Sequence, residues 1–301
     1  MEKEKKNEKP KDMATALDCA IRGNQIGGYE VGNVRYYNYM SNHDWELYFE
    51  KMKPNHKKQY GTGAGGELKA GKYPPKMASF GSSSRFIYEL SRDAVEDFIF
   101  EERLDTRVGG TANLDGFLRR KNKYIYVEAK RREIYYPSHE KQEIKSVYVP
   151  VYNKIKSLCK MFNYEPECGA PENGEELKKI TFYVNNEPVK FFDLKQLICH
   201  FLGITYDIAK HPVKNVKVKF LYLLYNPKEI EEKIDGKYCR NVMKRYDEVV
   251  KFIDNNTETF ESIFKAVLQY QTETHKLELP DIEFKFKLVN QSNYISELQI
   301  K

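Results

Sequence analysis

Apolar and polar side chains alternate along two neighbouring stretches of the chain, residues 113–120 and 123–130. Such alternation is typical of half-buried strands, because successive side chains of a strand point to opposite faces of the sheet. The two stretches are separated by Lys121-Asn122, a connection short enough to close a β-hairpin. The pattern therefore predicts a hairpin whose core face is formed by Leu114, Leu118, Ile125, Val127 and Ala129.

The predicted register brings two acidic side chains together on the other face of this hairpin. A two-residue turn pairs Arg120 with Lys123, and counting outward places Asp115 opposite Glu128, with Lys130 next on the same face. Opposed residues have Cβ atoms only ~5 Å apart. Two carboxylates at that separation repel each other by roughly 3 kcal/mol at an effective dielectric constant of about 20. A divalent cation would turn the repulsion into coordination, because hard cations prefer carboxylate oxygens.

A long helix is predicted before the hairpin. The serines at 82–84 offer an N-cap, and apolar residues then recur every four positions, at Phe86, Leu90, Ala94 and Phe98. This spacing favours a helix that runs to about Arg103. A short strand at 105–108 and the glycines at 109–110 then lead into the hairpin.

The rest of the chain is predicted to form helices with a few strands. Helices are predicted at 14–21, 42–52, 147–161, 192–208, 238–253 and 258–271, and strands at 216–225 and 282–288. Residues 61–75 and 163–174 are predicted loops because they are rich in glycine, lysine or proline. The first twelve residues are expected to be a disordered charged tail.

Composition places the chain among globular proteins and locates its positive charge. Its 301 residues are 41% hydrophobic and 14% aromatic, which is enough for a real core in one large domain or two small ones. Residues 103–132 hold nine Lys and Arg against three acids, an excess equal to the formal charge of +6 on the whole chain. Such a concentration is expected of a surface that receives phosphates. The alternative is a solvated hairpin in a lysine-rich chain.

Several function classes are disfavoured by the sequence. The five cysteines show no CxxC spacing, so a zinc site or disulfide framework is not expected. The stretch 66–73 resembles a phosphate-binding loop, but Tyr73 occupies the position that needs Ser or Thr, so nucleotide binding there is rejected. No apolar run approaches the ~20 residues that would span a bilayer, and residues 1–12 are no secretory signal. We expect a soluble, cytoplasmic protein without a membrane partner.

An Asp followed by Glu-x-Lys on the neighbouring strand resembles the PD-(D/E)XK nuclease superfamily, and the wider sequence looks like a family of bacterial restriction-endonuclease-like proteins. The matching runs are residues 75–86 (PKMASFGSSSRF), 100–104 (FEERL), 112–116 (ANLDG) and 192–196 (FDLKQ), with Cys199-His200. The resemblance implies an α/β fold with a restriction-endonuclease-like core, in which the elements follow the order αβββαβ and helices flank a mixed sheet of four to five strands. The implied core is 76–235 with an insertion at about 135–187, preceded by a helical and loop extension at 13–75. The segment 236–301 would add helices and terminal strands.

The resemblance also assigns roles to individual residues. Asp115 and Glu128 would bind Mg²⁺ or Mn²⁺, with the carbonyl of Ala129 as a further ligand. Lys130 would position or help deprotonate the attacking water and stabilise charge on the phosphate. A third carboxylate often comes from the first helix of this superfamily. Here Glu101 ranks first, because it shares the apolar stripe, and Glu89 ranks second. The residues expected to line the site or contact DNA are Gln196 and His200, and Arg119, Arg120, Lys121, Lys123, Arg131 and Arg132.

The expected function is therefore a metal-dependent endonuclease that hydrolyses DNA phosphodiester bonds, with a restriction or defence role implied only by the resemblance. One alternative is a catalytically inactive nucleic-acid-binding protein that has kept the basic hairpin. Another is a retaining glycosidase, because two carboxylates ~5–5.5 Å apart also suit that chemistry. Many nucleases of this type form homodimers, and the sequence leaves that alternative open.

Overall fold

The N-terminal part of the chain forms three helices and a hairpin in this computed structural model, which describes residues 10–25, 27–62, 67–136, 142–166, 177–211 and 214–299. The elements are α1 (Met13–Arg22), β1 (Gly27–Val31), β2 (Val34–Met40), α2 (Asn42–Lys51) and α3 (Pro54–Thr62). The two helices predicted here are confirmed, and Ser41 caps α2 by accepting the N–H of Asp44 at 3.1 Å. The β1–β2 hairpin was not predicted, because β2 is mostly polar or half-buried and shows little apolar alternation. Most of the predicted disordered tail, residues 1–9, lies outside the described residues.

The next segment contains the predicted hairpin but a shorter helix than expected. Its elements are α4 (Ser83–Ser91), β3 (Ile99–Asp105), β4 (Thr111–Arg120) and β5 (Lys123–Lys130). The prediction of one helix to Arg103 is wrong, because α4 ends at Ser91 and β3 begins at Ile99. The predicted strand at 105–108 is wrong as well, because β3 ends at Asp105. Phe98, Ile99 and Phe100 are consecutive apolar residues, which a helix cannot place on a single stripe. In β3, Phe100 stacks on Tyr60 of α3 with ring centroids 5.3 Å apart.

The predicted insertion forms a small antiparallel sheet and a helix. It comprises β6 (Gln142–Lys145), α5 (Val149–Leu158), β7 (Phe162–Pro166), β8 (Leu177–Val184) and β9 (Glu187–Pro188). The loop prediction at 163–174 is wrong for its first residues, because the alternating buried side chains of Phe162 and Tyr164 form part of β7. Residues 167–174 of that predicted loop lie outside the described part of the chain.

The C-terminal part returns to the central sheet and covers it with helices. Its elements are α6 (Leu194–Lys210), β10 (Val216–Leu224), α7 (Gly236–Asn255), α8 (Thr257–His275), β11 (Ile282–Val289) and α9 (Gln291–Leu298). The predicted helices and strands of this part are confirmed, whereas α9 was not predicted. None of the helices in the described ranges is both long and apolar enough to cross a membrane.

Five strands form the central sheet in the order β11-β10-β5-β4-β3. Strand β10 runs parallel to both β5 and β11, while β4 runs antiparallel to β3 and β5. Phe220 of β10 packs against Phe201 of α6, and the preceding Lys219 bonds Glu297 of α9. Since consecutive strand residues point to opposite faces, α6 and α9 cover different faces. The predicted α/β class with a mixed sheet flanked by helices is confirmed.

Gly116, in the middle of β4, lets α4 approach the sheet closely. A Cβ at this position would collide with the rings and methyl groups of Phe98 and Ile87. Ile87 belongs to α4, and Gly116 directly follows Asp115 in the strand. The glycine therefore sets how near α4 lies to the acidic residue of interest.

Candidate active site

A cavity of about 410 Å³ opens where β3, β4 and β5 meet the N-terminal end of α4. Residues preceding the sheet, such as Tyr39 of β2, form part of its wall. Its ionisable lining residues are Glu67, Lys76, Glu101, Asp115, Glu128, Lys130, Arg132 and Glu133. Five carboxyl groups and three cationic groups thus line the cavity, so acidic side chains outnumber basic ones.

Asp115 lies where the two strands of the hairpin cease to pair. The predicted turn and register are confirmed, since the ladder runs from Arg120 opposite Lys123 to Gly116 opposite Val127. Beyond that pair, Asp115 Oδ2 accepts the main-chain N–H of Ala129 at 2.7 Å. Burial, reinforced by the charges of Glu128 and Glu101, raises the pKa of Asp115 well above its ordinary value. The carboxyl therefore occupies a position that disfavours its own charge.

Glu128 is only 3% exposed and is held between two basic side chains. Its Oε1 lies 2.6 Å from Lys130 Nζ, and its Oε2 lies 3.0 Å from His200 Nε2. Burial alone would raise the pKa of Glu128, but Lys130 and His200 outweigh it and lower the pKa to about 2. Glu128 is consequently an anion at every physiological pH.

Lys130 is fixed by helix α6 as well as by Glu128. Its Nζ donates to Gln196 Oε1 at 2.8 Å, and Gln196 stands one turn before His200 on α6. Burial alone would lower the pKa of Lys130, yet the charge of Glu128 raises it well above its ordinary value. Lys130 is therefore an ammonium group. The structure brings both predicted α6 residues to the site, with Gln196 at the cavity wall and His200 buried behind Glu128.

Glu101 reaches the cavity from a strand rather than from a helix. It lies in β3 between the pairs Phe100–Gly116 and Glu102–Leu114, so the register places it level with Asp115. Its φ of +56° is uncommon for a residue with a side chain and indicates local backbone strain. Ser84 Oγ donates to Glu101 Oε1 at 3.0 Å. Burial, together with the charge of Glu67, raises the pKa of Glu101 to about 7.

Glu67 belongs to the cavity and was missed by the sequence analysis. It is 5% exposed and pairs through Oε1 with Lys76 Nζ at 3.0 Å. Its Oε2 is buried and has no hydrogen-bond partner among the described residues. Glu67 lies in the glycine- and lysine-rich stretch predicted to be a loop, where no periodicity distinguishes a buried carboxylate from a solvated one.

The second-ranked third carboxylate, Glu89, lies outside the residues that line this cavity. Its Oε1 bonds Arg85 Nε at 2.6 Å, and its Oε2 lies 4.0 Å from Arg131 Nη1.

Arg131 itself is 6% exposed, with its guanidinium carbon 5.4 Å from the ring centre of Phe86. A guanidinium group so enclosed serves packing, and the structure does not present Arg131 to a ligand as the DNA-binding prediction requires.

The other predicted DNA-binding residues fall into two groups. Arg132 lines the cavity and forms an ion pair with Asp18 of α1. The second group, at the turn of the hairpin, consists of Arg119, Arg120, Lys121 and Lys123. Lys123 stands five residues before Glu128 on β5, which corresponds to ~16 Å along a strand. The charge excess of 103–132 is therefore divided between two ends of the hairpin.

The excess of acidic groups at this site favours a divalent cation, but these groups are not arranged as a complete set of metal ligands. In the part of the chain that the structure describes, no three His, Cys, Asp or Glu side chains form a group that could hold a metal ion. Both oxygens of Glu128 are in contact with Lys130 and His200. Asp115 nevertheless lies close to the charges of Glu128 and Glu101, which raise its pKa, and Glu67 Oε2 is buried without a hydrogen-bond partner among the described residues, so a cation would be favourable here. Each oxygen of Glu128 has one contact, with Lys130 or His200, so a cation would share these oxygens with the two basic groups or displace one of them.

Comparison with protein-family models, curated proteins and solved structures finds no match for the chain. The geometry of the site and the order of the elements around it are accordingly the basis for the functional argument.

Proposed function

We propose that the protein is a divalent-metal-dependent endonuclease acting on DNA, with a core of the PD-(D/E)XK type. The observation that carries the proposal is the arrangement of Asp115, Glu128 and Lys130 at one cavity, at the point where β4 and β5 separate. The order of the elements supports the proposal: when the insertion with α5 and β6–β9 is set aside, α4, the antiparallel strands β3–β5, α6 and the parallel strand β10 follow one another as in the order αβββαβ.

Asp115 and Glu128 would hold the Mg²⁺ or Mn²⁺, and the carbonyl of Ala129 is a further candidate donor by resemblance. When bound, such an ion polarises a phosphate and lowers the pKa of bound water. A dication would offset the excess of carboxyl groups over cationic groups in the lining, which otherwise disfavours an anionic substrate.

Lys130 supplies fixed positive charge for the reaction. Its ammonium group is held by Glu128 and Gln196 at the cavity wall, where it can donate to a phosphate oxygen as negative charge develops. In this arrangement the charge of Glu128 raises the pKa of Lys130, so the ammonium group is a hydrogen-bond donor. Glu101, whose pKa is raised to about 7, is better suited to accept a proton from water near neutral pH.

The alternative of an inactive binding protein is favoured by one observation, namely that both oxygens of Glu128 already contact basic groups. A plasmid-nicking assay with titrated Mg²⁺ and Mn²⁺ separates the two. We expect metal-dependent nicking that is lost in Asp115→Asn and retained in Asp97→Asn, an exposed matched control. DNA binding without nicking at any metal concentration would favour the inactive protein.

A further inference from the structure

A second charged surface lies on the opposite face of the central sheet from Glu128. It is a cavity of about 280 Å³ lined by Lys123 of β5, Lys217 and Lys219 of β10, and Lys285 of β11. We call these four residues the lysine patch. Lys123 and Glu128 are an odd number of positions apart on β5, so they point to different faces. The patch is thus separate from the candidate active site.

The register of the strands sets the lysines of the patch directly beside each other. Lys123 is the partner of Lys217 between β5 and β10, and Lys219 is the partner of Lys285 between β10 and β11. Adjacent strands are only ~4.8 Å apart, and like charges placed opposite each other destabilise a sheet. Two such pairs side by side destabilise the sheet, so the stability of the fold does not explain their presence.

The acidic residues around the patch offset only part of its charge. Glu297 of α9 accepts from Lys219 at 2.9 Å, and Glu283 lies 3.6 Å from Lys217. Glu297 also pairs with Lys287, the next lysine along the same face of β11. Among the described residues, Lys217, Lys219, Lys285 and Lys287 therefore stand against two carboxylates, an excess of two positive charges.

Protection of a sheet edge explains only part of this arrangement. Lysines on an edge strand discourage pairing with other chains, which accounts for Lys285 on β11. Strand β10, however, lies inside the sheet between β5 and β11. On this face β10 carries lysine at 217 and 219 but buried leucine at 221 and 223. The change from apolar to cationic residues within one interior strand needs another explanation.

We propose that the lysine patch binds the phosphodiester backbone of nucleic acid at a position remote from the active site. The charge complementarity is direct, because duplex DNA carries one negative charge per ~1.7 Å of its axis. Arg120 and Lys121 at the adjacent hairpin turn extend the positive surface. This contact is independent of catalysis, so it would hold even if the chain cleaves nothing.

The test measures binding of the full chain to a short labelled DNA duplex in EDTA over a series of salt concentrations. Each lost phosphate contact reduces the slope of log K against log salt by ~0.9. We expect Lys219→Gln/Lys285→Gln to bind more weakly, with a slope shallower by up to about 1.8. The control Lys251→Gln/Lys265→Gln removes the same charge from exposed positions on α7 and α8 and should bind like the parent.

Three results would overturn the proposal. The first is an unchanged affinity and slope in Lys219→Gln/Lys285→Gln. The second is an equal loss in the control variant, which would show that net charge alone governs binding. The third is displacement of the DNA by polyglutamate at equal charge concentration, which would identify acidic protein surfaces as the occupant. A melting temperature at or above that of the parent would show that weaker binding does not arise from unfolding.

Discussion

The carboxylate of Asp115 takes the place of a main-chain partner by accepting the N–H of Ala129, at 2.7 Å, just beyond the last pair of the β4–β5 ladder. The bond fixes one oxygen of Asp115 against the strand that carries Glu128 and Lys130. Two acidic residues and one ammonium group are thereby held where β4 and β5 no longer pair with each other, although each strand is still paired with its other neighbour.

Replacement of Asp115 by Asn should abolish metal-dependent nicking and leave the fold as stable as before, or more so. The amide oxygen can still accept from Ala129, while the repulsion with Glu128 and Glu101 is removed. Because the pKa of Asp115 is raised in the folded protein, its charge opposes folding above pH ~4, the ordinary range of an Asp carboxyl. Thermal melts at pH 5 and 8 check this. If the variant melts well below the parent at pH 8, Asp115 is not destabilised by repulsion from Glu128 and Glu101.

Stability should fall between pH 4.5 and about 7 because of Glu101. Its pKa is raised from 4.5 to about 7, so the folded state binds a proton more tightly than the unfolded state, and folding weakens as pH rises through that window. The size of the effect is roughly 3 kcal/mol, from 1.36 kcal/mol for each pKa unit. Urea unfolding in EDTA should show a smaller pH dependence in Glu101→Gln. Identical pH dependence in both proteins would count against the raised pKa.

Addition of Mn²⁺ or Mg²⁺ should raise the melting temperature of the parent protein. A ligand that binds only the folded state stabilises it by about 2.7 kcal/mol at a hundred times its dissociation constant. The shift should disappear in Asp115→Asn and persist in Asp97→Asn. A metal-induced shift that survives in Asp115→Asn would place the cation elsewhere in the protein.

Glu128→Gln should destabilise the protein by about 3 kcal/mol, since removal of one partner of a buried ion pair leaves the other charge uncompensated. The group left behind is Lys130, with 12% of its side chain exposed. The double variant Glu128→Gln/Lys130→Met should recover much of this loss, because neither charge remains. Urea unfolding of the two variants provides the measurement. A double variant less stable than Glu128→Gln would show that Lys130 stabilises the fold through contacts other than this pair.

The hairpin could be predicted from the sequence because its information is local. Alternation on both sides of Lys121-Asn122 fixes the register, and the register alone brings Asp115 towards Glu128. Gln196 and His200 were also found from sequence, although only the folded helix α6 shows that they contact Lys130 and Glu128.

The remaining residues of the site depend on packing between distant segments. The apolar stripe that points to Glu101 in the sequence is not helical in the structure, where Glu101 reaches the cavity through a left-handed backbone conformation in β3. Glu67 is buried in a cavity that it shares with Glu101 and Asp115, which are more than thirty residues away in the sequence. Arg131 was assigned to DNA by its charge, yet Phe86 and Tyr225 enclose it. None of these environments follows from a short sequence pattern.

The absence of a side chain at Gly116 has a consequence for the proton chemistry of the site. Any larger residue there would collide with the ring of Phe98 and with Ile87 of α4, and we expect α4 to move away from the sheet. Ser84 stands in the first turn of the same helix, so its hydroxyl would retreat from Glu101. The single methyl group of Gly116→Ala would thus alter the basicity of Glu101 on the adjacent strand, although it would not contact that carboxylate.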